Sequence, residues 1–167
     1  MELARGDPWG NKPLNAGFLR IAGPVTADFV LLLEMGMAVG LVAGTWFART
    51  GRFRAHARCQ SAIVLFNACV IALTMVPSFR MQVLPRIPLR LGKASVALAT
   101  AHAVRGSIAE LMALYILLAA GTSVLPERMR ITRYKAWMRG VLVLWWLSLL
   151  LGLATYTRWY LPELWRK

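Results

Sequence analysis

The sequence predicts an all-α integral membrane protein, an antiparallel four-helix transmembrane bundle. Three observations predict it. Of 167 residues, 58% are hydrophobic and 16% are charged; roughly 25% are charged in an ordinary soluble domain, and so few cannot cover a globule of this size. Four runs reach the length of about 20 apolar residues that a bilayer requires. The basic excess, 20 Lys and Arg against 7 Asp and Glu for a net charge of +13, lies largely between those runs, as membrane-flanking loops do.

Each span can be placed in turn. The first covers 29–48 and carries one charge, Glu34. The second covers 60–79 and carries none. The third, 94–125, is longer and includes His102, Arg105 and Glu110. The fourth covers 140–157, is uncharged, and can extend through Tyr160. Short connections make sequence neighbours antiparallel. Residues 28–161 therefore read as one transmembrane domain, preceded by an irregular, interfacial tail at 1–27 and followed by a short tail at 162–167. The first tail has three prolines and no apolar run, so it lacks the apolar core of a secretory signal. Pro85 and Pro88 oppose a helix in 80–93. The alternation of apolar and basic residues there predicts an extended segment lying among headgroups.

The basic residues divide almost equally between the two sides, but loops 49–59 and 126–139 carry theirs in fewer residues. Density near the membrane ends favours these loops as cytoplasmic. The same division between both faces disfavours nucleic-acid binding.

Lipid gives no hydrophobic drive between helices, so close backbone approach and polar contacts must hold the bundle. Gly36, Gly40, Gly44 and Ala48 recur every four residues and share one face. His56, Gln60, Asn67, Thr74 and Ser78 fall within a narrow arc of the second helix and read as an inward polar seam, with a ligand-binding stripe as the alternative. Ser148, Gly152 and Tyr156 form a second small-residue face. Trp159 and Tyr160 suit one headgroup level and Trp137 the other; Trp145 and Trp146, deeper, suit packing or lipid contact.

Ionisable groups inside a span cost free energy, which makes each one a functional candidate. Glu110 shares a face with Ala99, Ala103, Gly106 and Ala113 and should point inward. Glu34 lies about as deep as His102, so a Glu34–Arg105 or Glu34–His102 pair is reasonable, either as a register-fixing ion pair or as part of a site. An unpaired Glu110 could carry a proton.

His56 and His102 sit towards opposite sides of the membrane, so one haem or metal ion can hardly use both. Haem or copper is disfavoured and no cofactor is predicted. Cys59 and Cys69 are ten residues apart on one helix, about 15 Å of rise, too far for a disulfide. No C-x-x-C, H-E-x-x-H or glycine-rich phosphate loop occurs, and no hydroxyl has an adjacent base. Nothing marks an enzyme.

Tyr134-Lys135-Ala136-Trp137-Met138-Arg139, followed by Trp145, Gly152 and Tyr156, resembles the last segment of a small bacterial membrane family of unknown function. That family includes maturation factors of haem–copper cytochrome oxidases. Arg54-Ala55-His56-Ala57-Arg58 resembles its basic histidine motif, and His102 resembles another of its histidines. The resemblance spans about 28–160. Tyr134 stands where a family histidine is expected, and Phe79 and Arg80 stand where another is, so a histidine-held copper or haem site would be incomplete here.

The resemblance implies a non-catalytic accessory or assembly protein of a respiratory electron-transport complex, a terminal oxidase foremost, in the bacterial inner membrane. It would dock through Gly36, Gly40 and Gly44 onto other membrane subunits and rest its basic loops on anionic lipids. The alternatives are a permanent small subunit of a respiratory or photosynthetic complex, or a proton-linked carrier.

Overall fold

The structure is a computed structural model and describes residues 25–123, 126 and 132–161. Most of the predicted 1–27 tail, residues 1–24, together with 162–167 and most of the 124–131 connection, lies outside the described residues; its last three residues, Val25–Ala27, are helical and begin the first helix rather than being irregular. Those that are described are almost entirely helical, with no strand. Four helices are long and apolar enough to cross a membrane: α1 (Val25–Arg49), α2 (Phe53–Arg90), α3 (Ala94–Gly121) and α4 (Tyr134–Tyr160).

α1 stops where glycine allows it. Gly51 adopts φ 74°, a left-handed conformation that favours glycine. The Arg52 N–H then reaches back to the Phe47 carbonyl at 2.9 Å, and the Gly51 N–H to the Ala48 carbonyl at 3.3 Å. This is the paired 6→1 and 5→2 pattern of a Schellman ending. It reverses the chain in three residues and lays α2 against α1.

α2 corrects the sequence expectation. The 80–93 segment is not extended up to the headgroups; helix continues through Arg90. It does so by changing pitch. α-Helix over Phe53–Val70 gives way to a π-helical turn at Ile71–Met75, a short α segment at Val76–Ser78 and a second π turn at Phe79–Val83. A 3-10 turn at Leu84–Arg86 and an α turn at Ile87–Arg90 complete it. Pro77, Pro85 and Pro88 each sit just after a change of pitch, where the regular i→i−4 bond that proline cannot make is already interrupted. The wide turn at Ile71–Met75 also relieves the clash between the Pro77 ring and the carbonyl four residues back.

The helix pairs α1–α2 and α3–α4 pack most closely. One core joins Met37 and Leu41 of α1, Ile63 and Val64 of α2, Ala109, Ala113, Ile116 and Ala119 of α3, and Val141, Trp145 and Leu149 of α4. A smaller cluster, Val83, Val96 and Ala99 with Phe79, Ile87 and Trp159 against it, ties the far end of α2 to the start of α3 and the end of α4. Much of α3's inner face is alanine, which permits close approach. Large apolar side chains such as Phe29, Val39, Leu73, Val104, Leu111 and Leu150 point outward, the reverse of a water-soluble globule. Hydroxyls within the helices bond to their own backbone: Thr45 to Leu41, Thr74 to Val70, Thr100 to Val96 and Thr155 to Leu151, each donating to the carbonyl four residues back. Such polar residues are tolerated in apolar surroundings because the partner is always in reach.

Candidate functional site

Three buried carboxylates, Glu34, Glu110 and Asp28, each make a polar contact that joins different helices. The first is Glu34 of α1 with His102 of α3. His102 Nε2 lies 3.9 Å from Glu34 Oε1, while His102 Nδ1 donates to the Ser148 carbonyl of α4 at 2.9 Å. A carbonyl only accepts, so that bond places a proton on Nδ1. Gly152 makes the room. A methyl group there would lie 2.8 Å from Glu34 Oε2 and 3.0 Å from His102 Cε1. The pair and the glycine are therefore complementary, and Gly152 packs against functional-type side chains rather than against another helix backbone. Arg105, the other partner considered for Glu34, is half-buried and not joined to it.

The second contact is Asn67 of α2 donating to Glu110 Oε2 of α3 at 2.7 Å. Glu110 is buried, as its alanine-and-glycine face predicts, and its Oε1 has no hydrogen-bond partner among the described residues. The third is the Tyr156 hydroxyl of α4 donating to Asp28 Oδ1 of α1 at 2.5 Å. Asp28 is fully buried. Sequence reasoning missed it, because a lone Asp one residue before an apolar run reads as the edge of a span rather than as part of its interior. Tyr156→Phe removes one donor from this carboxylate and should cost about 1–3 kcal/mol. Thermal unfolding in detergent checks this, with an unchanged midpoint counting against the contact.

The remaining predicted residues mostly build the scaffold. His56 Nδ1 donates to the Gly44 carbonyl at 2.8 Å and straps α2 to α1. Gly44 leaves the space that the Gln60 side chain occupies, and Gly40 leaves that of Ile63, whose Cδ1 would lie 2.8 Å from an added methyl. Cys59 Sγ approaches the Gly40 carbonyl at 3.5 Å. The expected docking face is thereby corrected: Gly40 and Gly44 are consumed by α2 of the same chain, while Gly36 is exposed with nothing within 4 Å of an added methyl. Tyr134 donates to the Ala119 carbonyl at 3.0 Å and secures the end of α3 to the start of α4. Trp145 is in the core, and Trp146 is exposed. Trp159 donates to the Ser95 carbonyl at 3.1 Å and carries Arg86 over its ring at 5.3 Å.

Glu34 and His102 face a cavity of about 650 Å³. Its walls are mostly apolar, from Val30, Leu31, Ile71, Met75 and Phe79, and it runs to Arg80, Trp159 and Tyr160 at the bundle end where α4 finishes. Behind the pair lies a second space of about 50 Å³, bounded by Asn67, His102 and Ser148. Such a space fits water, and the buried Ser148 Oγ, which has no protein partner, borders it.

Among the described residues no three His, Cys, Asp or Glu come together; one imidazole, His102, and one carboxylate, Glu34, line the cavity, and His56 bonds to Gly44. Compared with family models, curated proteins and solved structures, the chain matches none of them.

Proposed function

We propose that this chain is an antiparallel four-helix bundle of the bacterial inner membrane that serves as a non-catalytic accessory or assembly protein of a respiratory complex, a terminal oxidase foremost. The observation that carries the reading is the Glu34–His102 pair at the floor of an intramembrane cavity. Two ionisable groups from different helices, with a glycine kept open to admit them, are costly to maintain for packing alone. His102 and Gly152 are also positions on which the resemblance to oxidase maturation factors rests. Exposed Gly36, beside the outward-facing Leu32, Met35 and Val39, offers a partner helix a point of close approach.

Affinity purification from the native host in gentle detergent, with quantitative mass spectrometry, tests this. Substoichiometric recovery of oxidase subunits, rising when maturation is stalled, is the expected result. Stoichiometric recovery would identify a permanent subunit instead, and recovery of the chain alone would overturn both.

A proton-linked carrier is the second reading, favoured by the partnerless Glu110 Oε1 inside the bundle. Glu110→Gln keeps an oxygen for the Asn67 bond, so the folded yield should stay within about twofold of native. If a proton moves through Glu110, activity should fall roughly tenfold or more. Native activity in every assay would end the carrier reading.

A further inference from the structure

We infer that the cavity binds a lipophilic hydroxyl compound, a hydrocarbon body bearing an alcohol or phenol, with the hydroxyl set between His102 Nε2 and Glu34 Oε1. The inference does not depend on which complex the chain serves.

The head group follows from the pair's geometry. The Ser148 carbonyl fixes the Nδ1 proton of His102, which leaves Nε2 facing Glu34 Oε1 at 3.9 Å. That separation is too long for a direct hydrogen bond, yet a single oxygen can stand about 2.8 Å from both atoms. A net-neutral pair holds one proton between Nε2 and the carboxyl, so one side donates and the other accepts. Whichever side holds it, the bridging group must both accept and donate. A hydroxyl does so; an ether or carbonyl only accepts, and a quaternary or tertiary ammonium has no acceptor.

The body follows from the walls. Beyond the pair the cavity is apolar, and at about 650 Å³ it lies in the range of small-molecule sites. Val76 of α2 and Val104 and Ile108 of α3 line it and are about half exposed. A ligand can thus enter sideways between α2 and α3, from the same apolar surroundings that the outer side chains face. The space behind the pair, at about 50 Å³, admits water but no ligand, which makes Glu34 and His102 the floor.

The test uses the purified full chain in detergent micelles and radiolabelled probes, with retention compared against empty micelles. Farnesol supplies an aliphatic alcohol, decylhydroquinone a phenol, and farnesyl methyl ether a matched body that cannot donate. At least one hydroxyl probe should saturate the protein, with farnesol or the phenol retained about tenfold more tightly than the ether; which of the two binds better assigns the source. His102→Phe should erase the preference for farnesol over its ether. Val104→Trp, which changes an exposed side chain at the mouth and leaves the pair intact, should abolish retention of every probe. Failure of both hydroxyl probes to be retained more tightly than the ether by the native chain, or full retention by Val104→Trp, overturns the inference.

Discussion

Gly152→Val is expected to reduce function to the level of a deletion while leaving the four helices in place. The added carbons would fall where Glu34 Oε2 and His102 Cε1 already lie, at 2.8 and 3.0 Å from the first of them. Glu34 ends a flexible side chain and can swing away. His102 cannot follow without losing its bond to the Ser148 carbonyl, one turn earlier on the same helix as Gly152. The pair therefore separates. Overpacking of this kind costs about 1–3 kcal/mol, which a bundle can absorb, so yield and helicity should hold. Complementation of a deletion strain reads the outcome, with circular dichroism as the control. Gly152→Ala, which only crowds the pair, should lie between valine and native. A fully active valine variant would mean that Glu34 and His102 need not face each other.

Gly44→Leu should have the opposite signature, a loss of the fold itself. Gly44 is buried at the α1–α2 contact; its missing side chain makes room for Gln60, and its carbonyl receives the His56 proton. Leucine displaces Gln60 and pushes the two helices apart, breaking the His56 strap and separating the facing Gly40 from Ile63. Strain of about 3 kcal/mol or more, from overpacking plus a lost buried bond, is a large part of a typical folding free energy. The expected readouts are a steep fall in membrane-extracted yield and rapid proteolysis of the Thr50–Arg52 turn. Gly36→Leu is the internal comparison and should fold normally, because nothing lies within 4 Å of that position. If both leucine variants fold alike, the glycine face contributes little to the α1–α2 contact.

The four long apolar helices were legible because apolar length and the positions of charge suffice to find them. Glu34 with His102, and the inward aim of Glu110, were legible for a related reason: depth along a span and helical periodicity together place a side chain. The choice between His102 and Arg105 was not, because it turns on the Ser148 carbonyl, a backbone group that leaves no mark in the sequence. The same holds for Gly152, recognisable as a small residue but not as the space for a side-chain pair. Asp28 was hidden by its place at the boundary of an apolar run. Gly40 and Gly44 were legible as a packing face, while their partner was settled only by Gln60 and Ile63 across the contact.

The two π turns of α2 have a consequence for phase. A π turn holds one residue more than an α turn, so each rotates everything after it by roughly 100° relative to an unbroken helix. The polar arc through His56, Gln60 and Asn67 stays in step and meets α1 and α3. Beyond Ile71–Met75 it slips: Ser78 is exposed and borders the cavity, while Phe79 and Val83 pack towards α3 and α4. The cavity wall formed by the second half of α2 is thus aimed by residue count, whereas its first half is aimed by residue type. Insertions and deletions within 71–83 steer the apolar wall around the Glu34–His102 floor without altering a single chemical group, a degree of freedom that point substitution cannot reach.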